Sequence, residues 1–296
     1  MSFSGTGNRP AVERQQLLRA ARVLGPMAGP GTMAAQLMRL LCDPHAKVSE
    51  IAAVLTTEPG LCARVLRVAN SSFYGVTREV TTIDGAVLLL GLDVVRGIAA
   101  AASLDRLLLT DADATAADVP AVIRHALASA AAAQLLAGLA RPGLEPEAFL
   151  GGLLHNLGVL VQLRLDPAGV RRMLEHRAGD RGLGIRALEA QLGVPGHEEC
   201  LALVFEEWQL PASVIALARH HHEPAEAPEE HRVLTALVGV GATLALRAGA
   251  TYPLEPEAGA CPAGALELLG LGPESLDEVQ RALPAWVAAL RSALHG

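Results

Sequence analysis

Aromatic residues make up only 3% of this 296-residue chain, and runs of β-branched residues are scarce, so the usual material of pleated, half-buried strands is missing. Alanine and leucine dominate instead, and the expected fold class is all-α. Net positive charge is also lacking. Lys and Arg number 24 against 31 Asp and Glu, a formal charge of -7, which speaks against a nucleic-acid backbone as main partner, because phosphate binding rests on clustered basic side chains. Pairs such as Arg171 and Arg172 read as a solvated helix face. The four cysteines, Cys42, Cys62, Cys200 and Cys261, form no CxxC pair, as expected of reduced thiols in a cytoplasmic protein. No basic segment followed by an apolar run opens the chain, so no signal peptide is expected. The most apolar stretches, Phe149 to Leu163 and Val233 to Leu246, fall short of the roughly 20 residues a bilayer crossing takes. They read as buried core helices, with no membrane partner.

Several catalytic signatures are absent as well. The glycines of GPMAGPGT lack the Lys-Ser/Thr pair of a P-loop and the strand context of a dinucleotide fingerprint. No Gly-x-Ser-x-Gly elbow or catalytic cysteine context occurs, and Cys200 reads as a packed helix residue. What is present is apolar: 51% hydrophobic content and a mean hydropathy of +0.33 are ample for a core without staples.

Four parts are expected along the chain: a tail over 1–12, a helical half over 13–109, a second helical half over 110–249, and a linker with a terminal helix over 250–296. Helical spacing predicts helices over Glu13 to Leu24 and Thr32 to Leu41, separated by Gly-Pro breaks. After the turn DPHAKVSE, Ser49 is the expected N-cap of a short helix from Glu50 to Leu55. Thr57 is expected to cap a helix carrying Leu61, Val65, Val68 and Ala69, and Thr82 another that Gly91 stops. The polar run 110–119 is the expected seam. Beyond it come an alanine-rich helix from Ala121 to Leu139, a core helix from Glu147, helices from about His197 and Pro211, a loop at 225–230, a core helix from Val233 to Leu246, and a last helix from Leu276 to Leu294. Trp286 and Leu290, at helical spacing, can pack on the core or on a second chain.

Histidines are the informative polar residues. His155 interrupts FLGGLLHNLGVLVQL, read as one helix apolar on almost every side, so its ring must be buried with hydrogen-bond partners. A satisfied core histidine is the plain reading of one such residue. His125, His197 and His220, His221 and His222 accompany it, however, and at least one of the last three must face the core. If His125, His155, His197 and His221 converge, they have the donors and acceptors of a metal or anion site.

The ordered segments EPGLCARVLRVANSSFYG, TTIDGAVLLLGLDVVRG, RHALASAAAAQLLA, AFLGGLLHNLGVLV, HEECLALVFEEWQLP and RHHHEP resemble the HDOD family over roughly 13–249. The resemblance implies a two-part helical HDOD domain with an HD-like second half and a C-terminal helical extension. It also implies descent from HD-domain phosphohydrolases, in which a histidine, a His-Asp doublet and a later aspartate hold metal ions that activate water. On that pattern His125 matches the first histidine and His155 the histidine of the doublet. Asn156 stands at the doublet's aspartate, and Ala242, or Gly241 in another register, at the late one. In sequence, the acidic residues nearest that late position lie in the loop before His231. His197 and His221 match further histidines of metal-rich relatives, while the GYP-type motif is missing after His222-Glu223-Pro224.

An amide brings a metal no charge and cannot act as a general base. The resemblance therefore implies a non-enzymatic signalling module, standing alone, that acts through contacts with partner proteins supplied in trans or through a small ligand sensed in the relict pocket. Its relict site would comprise His125, His155, Asn156, His197 and His221, with no cofactor expected beyond a residual divalent metal. The alternative is a metal-dependent phosphohydrolase acting on a nucleotide or cyclic dinucleotide. A third reading, nucleic-acid binding around Arg64 and Arg67, would show steep salt dependence. Asn70, Ser71 and Ser72 read as helix termination and turn capping, or, within the resemblance, as an interface between the two halves.

Overall fold

In the structure, a computed structural model, the described residues are 33–295 except 44, 57–58, 71–75, 77–78, 93–94, 96–97, 100–118, 180–181 and 256–257. Their helices are α1 (Met33–Cys42), α2 (Val48–Thr56), α3 (Pro59–Ala69), α4 (Ile83–Leu90), α5 (Val119–Ala140), α6 (Glu145–Leu154), α7 (Gly158–Leu165) and α8 (Pro167–Gly179). There follow α9 (Ile185–Leu192), α10 (His197–Glu207), α11 (Ala212–His220), two 3-10 turns, α12 (Arg232–Arg247), α13 (Ala265–Leu269) and α14 (Pro273–His295). Among the described residues there is no sheet; one isolated bridge pairs Tyr252 with Glu255. The fold is all-α, as the composition requires.

Local chemistry explains several boundaries. Thr82 caps α4 by accepting from the Gly85 amide at 3.1 Å, and Gly91 ends the helix at φ 85°, a conformation glycine adopts without a Cβ penalty. The start of α2 differs from expectation. The helix begins at Val48, and Ser49 is not its cap; instead the Glu50 carboxylate reaches back to the Lys47 amide at 2.9 Å, the acidic half of a capping box. The expected helix over 13–24, the Thr57 cap and nearly all of the 110–119 seam fall outside the described residues, as do the Trp286 and Leu290 side chains.

The two halves share one hydrophobic cluster. It runs from Leu37 and Met38 in α1 through Phe149 and Phe205 to Tyr252 and Leu254. Phe149 and Phe205 are fully buried, and truncating either to alanine should cost about 3–5 kcal/mol. Arg39 in α1 adds a polar link, donating to the Trp208 carbonyl at 3.2 Å. The second layer centres on α5, packed against α6, α12 and α14. Ala126, Ala128 and Ala130 to Ala133 are all buried, so the alanine run serves close helix packing. Val119–Ala140, and Glu145–Leu165 if α6 and α7 are taken together, are long and apolar enough to cross a membrane by composition, but 67% and 83% of their apolar stretches lie inside the protein. That is the burial of core helices.

One expectation fails in an informative place. The stretch FLGGLLHNLGVLVQL is not one helix: α6 ends at Leu154, residues 155–157 form a turn, and α7 starts at Gly158. The break has a packing cause. A Cβ on Gly158 would lie 2.0 Å from the His197 carbonyl oxygen, so the start of α7 sits directly on the start of α10. His155 and Asn156 stand in this turn, with the His155 ring 5.1 Å from that of His221.

Candidate functional site

Five histidines gather between α5, the turn after α6, the start of α10 and the end of α11. His125, His155, His197 and His221 are buried to 2% exposure or less. Ring centroids run 5.3 Å from His125 to His155, 5.1 Å from His155 to His221 and 5.3 Å from His221 to His197. His222 stands 5.2 Å from His197 and 4.3 Å from His221. The sequence reading left His222 out of the candidate set; it belongs in it, because the chain turns after His220 and carries both following rings inward.

The acceptors around the rings fix their tautomers. Nδ1 of His125 faces the Ala250 carbonyl at 3.0 Å, Nδ1 of His155 the Gly152 carbonyl at 2.7 Å, and Nδ1 of His221 the Ala218 carbonyl at 3.3 Å. Nδ1 of His197 faces Oε1 of Glu189 at 2.8 Å. None of these oxygens has a proton to give, so in each neutral ring Nδ1 donates and Nε2 carries a lone pair. Yet Nε2 of His197 lies 3.3 Å from Nε2 of His221 and 3.2 Å from Nε2 of His222. The lone pairs of His197 and His221 face each other and repel unless a cation or proton lies between them, while His222, whose Nδ1 has no such acceptor among the described residues, can donate from Nε2 to His197. A proton on His197 satisfies one neighbour at a time, whereas a metal ion satisfies all three. The ligand atoms of His197, His221 and His222 lie within 4.8 Å of one another, and two of their separations match the roughly 3.3 Å edge of a tetrahedron with metal–nitrogen bonds of about 2.0–2.1 Å.

Electrostatics divides the cluster. Burial lowers His125 to about 4, and burial with the neighbouring His125 charge lowers His155 to about 3. Burial and adjacent histidines push His221 and His222 well down. His197 goes the other way: burial opposes its charge, but the carboxylate and hydrogen bond of Glu189, helped by Glu198 and Glu255, raise it overall.

Carboxyls from segments distant in sequence do reach the cluster. Glu189 is 5% exposed, and its Oε1 accepts from the His197 ring, the His197 amide at 2.9 Å and Gln162 Nε2 at 2.6 Å. It is thus committed to orienting His197 from behind. Glu255 lines a cavity of about 140 Å³ with His155, Asn156, His221, His222 and Ala242; burial raises its carboxyl toward the neutral form. Its Oε2 accepts from Tyr252 Oη at 2.8 Å, and the Tyr252 ring stands 5.2 Å from His125. Glu189 was detectable in sequence, since with Ile185, Leu188 and Leu192 it occupies the apolar face of α9. Nothing local to YPLE marks Tyr252 or Glu255.

Asn156 is 2% exposed; its Nδ2 meets no acceptor in full hydrogen-bond geometry, but its side chain bears on the Tyr252 hydroxyl. Ala242 lines the same cavity, so a side chain at that register faces the histidines. Asn70 lies elsewhere: its amide donates to the Leu66 and Val80 carbonyls and accepts from the Val80 amide, pinning the chain after α3. Ser71 and Ser72 are outside the described residues.

A family model described as the HDOD domain matches residues 28–224. The chain belongs to the HDOD family. A solved HDOD domain protein of unknown function from Geobacter sulfurreducens superposes with a TM-score of 0.65 at 22% identity, covering 96% of this chain and 95% of that one. A protein of Marinobacter aquaeolei VT8, provisionally named a signal transduction protein, gives a TM-score of 0.77 at 25% identity, covering 99% of this chain and 68% of that one. A protein of Shewanella amazonensis SB2B, provisionally named a phosphohydrolase, gives 0.67 at 21% identity, covering 93% and 97%. An uncharacterized protein of Treponema pallidum (strain Nichols) is 26% identical over 203 residues. The match covers 69% of this HDOD chain and only 39% of that curated relative's length.

Proposed function

We propose that this HDOD chain is a non-enzymatic signalling module that acts in the cytoplasm on partner proteins supplied in trans, built around a histidine centre that binds rather than hydrolyses. HDOD membership and the likeness to a protein provisionally named for signal transduction support a regulatory role. The observation that carries the non-enzymatic part is the state of the two aspartate positions. Asn156 is a buried amide, and Ala242, on the wall of the same cavity, is a methyl group. A hydrolytic pair of ions needs carboxylates to offset charge, bridge the metals and orient water. The two nearby carboxyls do not replace them: Glu189 is spent on His197 and Gln162, which leaves Glu255 as a single carboxyl on the cavity wall, too few to bridge a pair of ions and orient water as well.

The residues do fit a single divalent transition ion. His197, His221 and His222 would hold it, with Glu189 fixing the His197 ring as carboxylates behind metal-bound histidines do. Such an ion, when bound, supplies the positive charge that the facing lone pairs require. The test is hydrolysis of linear and cyclic dinucleotides by the tag-free chain with added Mn and Fe. No turnover above buffer is expected. Turnover that His155→Ala abolishes would establish the alternative, a metal-dependent phosphohydrolase.

A further inference from the structure

Three neutral imidazoles bring no charge to a divalent ion, and neither Asn156 nor Ala242 offers any. An ion bound by nitrogen alone would leave two positive charges in a largely buried site, an arrangement that low-dielectric surroundings penalise heavily. A carboxylate in the ligand set would halve that charge. Glu255 is the acidic side chain on the wall of the cavity that His155, His221 and His222 also line. It comes from the segment after α12, outside residues 28–224 matched by the family model.

That segment is held in place by several independent contacts. Ala250 takes the Nδ1–H of His125 on its carbonyl, Tyr252 and Leu254 are 3% and 1% exposed, and Arg177 donates to the Leu254 carbonyl. The Glu255 amide closes a turn on the Tyr252 carbonyl at 2.9 Å. The Tyr252 hydroxyl holds Oε2 of Glu255. On the same cavity wall, the buried Asn156 side chain bears on the Tyr252 hydroxyl.

We propose that Glu255, which lines the cavity but stands outside the 4.8 Å grouping of His197, His221 and His222, turns in on metal binding as the carboxylate ligand that completes the histidine centre, so that a bound ion ties the C-terminal segment to α10 and to the turn after α11. Mixed imidazole and carboxylate ligation suits a single divalent transition ion. The proposal rests on the reading of His197, His221 and His222 as a metal-holding set.

The full chain, stripped of metal and titrated with Co(II), tests it by visible absorption. Wild type should bind one equivalent and show the intense bands of a tetrahedral centre. Glu255→Gln, with an unchanged far-UV spectrum, should bind at least about 10-fold more weakly, by analogy with the loss of supporting groups at metal sites, and with altered bands. Tyr252→Phe, which keeps the carboxylate and removes its hydroxyl partner, should retain the wild-type bands and separates ligand loss from damage to the turn. Wild-type affinity and bands in Glu255→Gln would overturn the assignment of Glu255 while leaving the histidine centre standing. No uptake of Co(II) by wild type would overturn both.

Discussion

Taking the metal-free protein from pH 7.5 to pH 5.5 should cost about 3 kcal/mol of stability through His125 and His155 alone. Both rings are buried and depressed in the folded chain, to about 4 and about 3, from an ordinary value of 6.5. At pH 5.5 roughly 90% of each ring would be protonated in the unfolded chain, while the folded rings stay neutral, and the difference is worth about 1.4 kcal/mol per ring. The sign follows from proton counting. The unfolded state binds more protons between the folded and unfolded pKa values, so stability is fully present above about 6.5 and falls as pH drops toward 4 and then 3. His221 and His222, also lowered, push the same way. His197, raised by Glu189 against the effect of burial, opposes them, since its contribution is present at low pH and is lost as pH rises through its folded value. Urea unfolding followed by circular dichroism, with a chelator and constant ionic strength, measures the net effect. With a slope near 3 kcal/mol/M the midpoint should fall by about 1 M. A midpoint that stays level or rises toward pH 5.5, or one that falls equally in His155→Gln, would refute the reasoning.

Three further outcomes follow from individual contacts. Glu189→Gln removes the charge behind His197 while keeping the shape; divalent-metal affinity should drop about 10- to 100-fold, read by competition with a chromogenic chelator. Gly158→Ala places a methyl group against the His197 carbonyl and should destabilise the fold by about 2 kcal/mol, the scale of overpacking, measured by urea unfolding. Arg177→Met abandons the Leu183 and Leu254 carbonyls; at about 1.5 kcal/mol or more for each charged hydrogen bond, the loss should be about 3 kcal/mol, with faster amide exchange at Glu255 than in α5.

Much of this was legible in the chain. The helical fold followed from alanine and leucine, the α4 boundaries from Thr82 and Gly91, and the burial of His155 from its apolar surroundings. Other features were hidden for identifiable reasons. The break at 155–157 depends on Gly158 meeting a carbonyl 39 residues later in the chain, a contact no local pattern encodes. α8 was anticipated only as the helix face around Arg171 and Arg172, and α9 not at all, because IRALEAQL is short. Glu189 went unread with α9, although its place on the apolar face of that helix marks it. Ser49 lost the cap of α2 because Glu50 reaches back from within the first turn, an alternative the sequence SEIAAVL does not distinguish. Glu255 came from a segment read as linker, and only the tertiary fold brings it to the histidines.

The central claim is that the histidine centre of this HDOD chain holds one ion and lacks the carboxylates for a hydrolytic pair. Elemental analysis of protein purified without a tag, after exchange into metal-free buffer, tests it most directly. The account predicts one divalent transition ion per chain, lost in His197→Ala. Two or more ions per chain, or none, would contradict it.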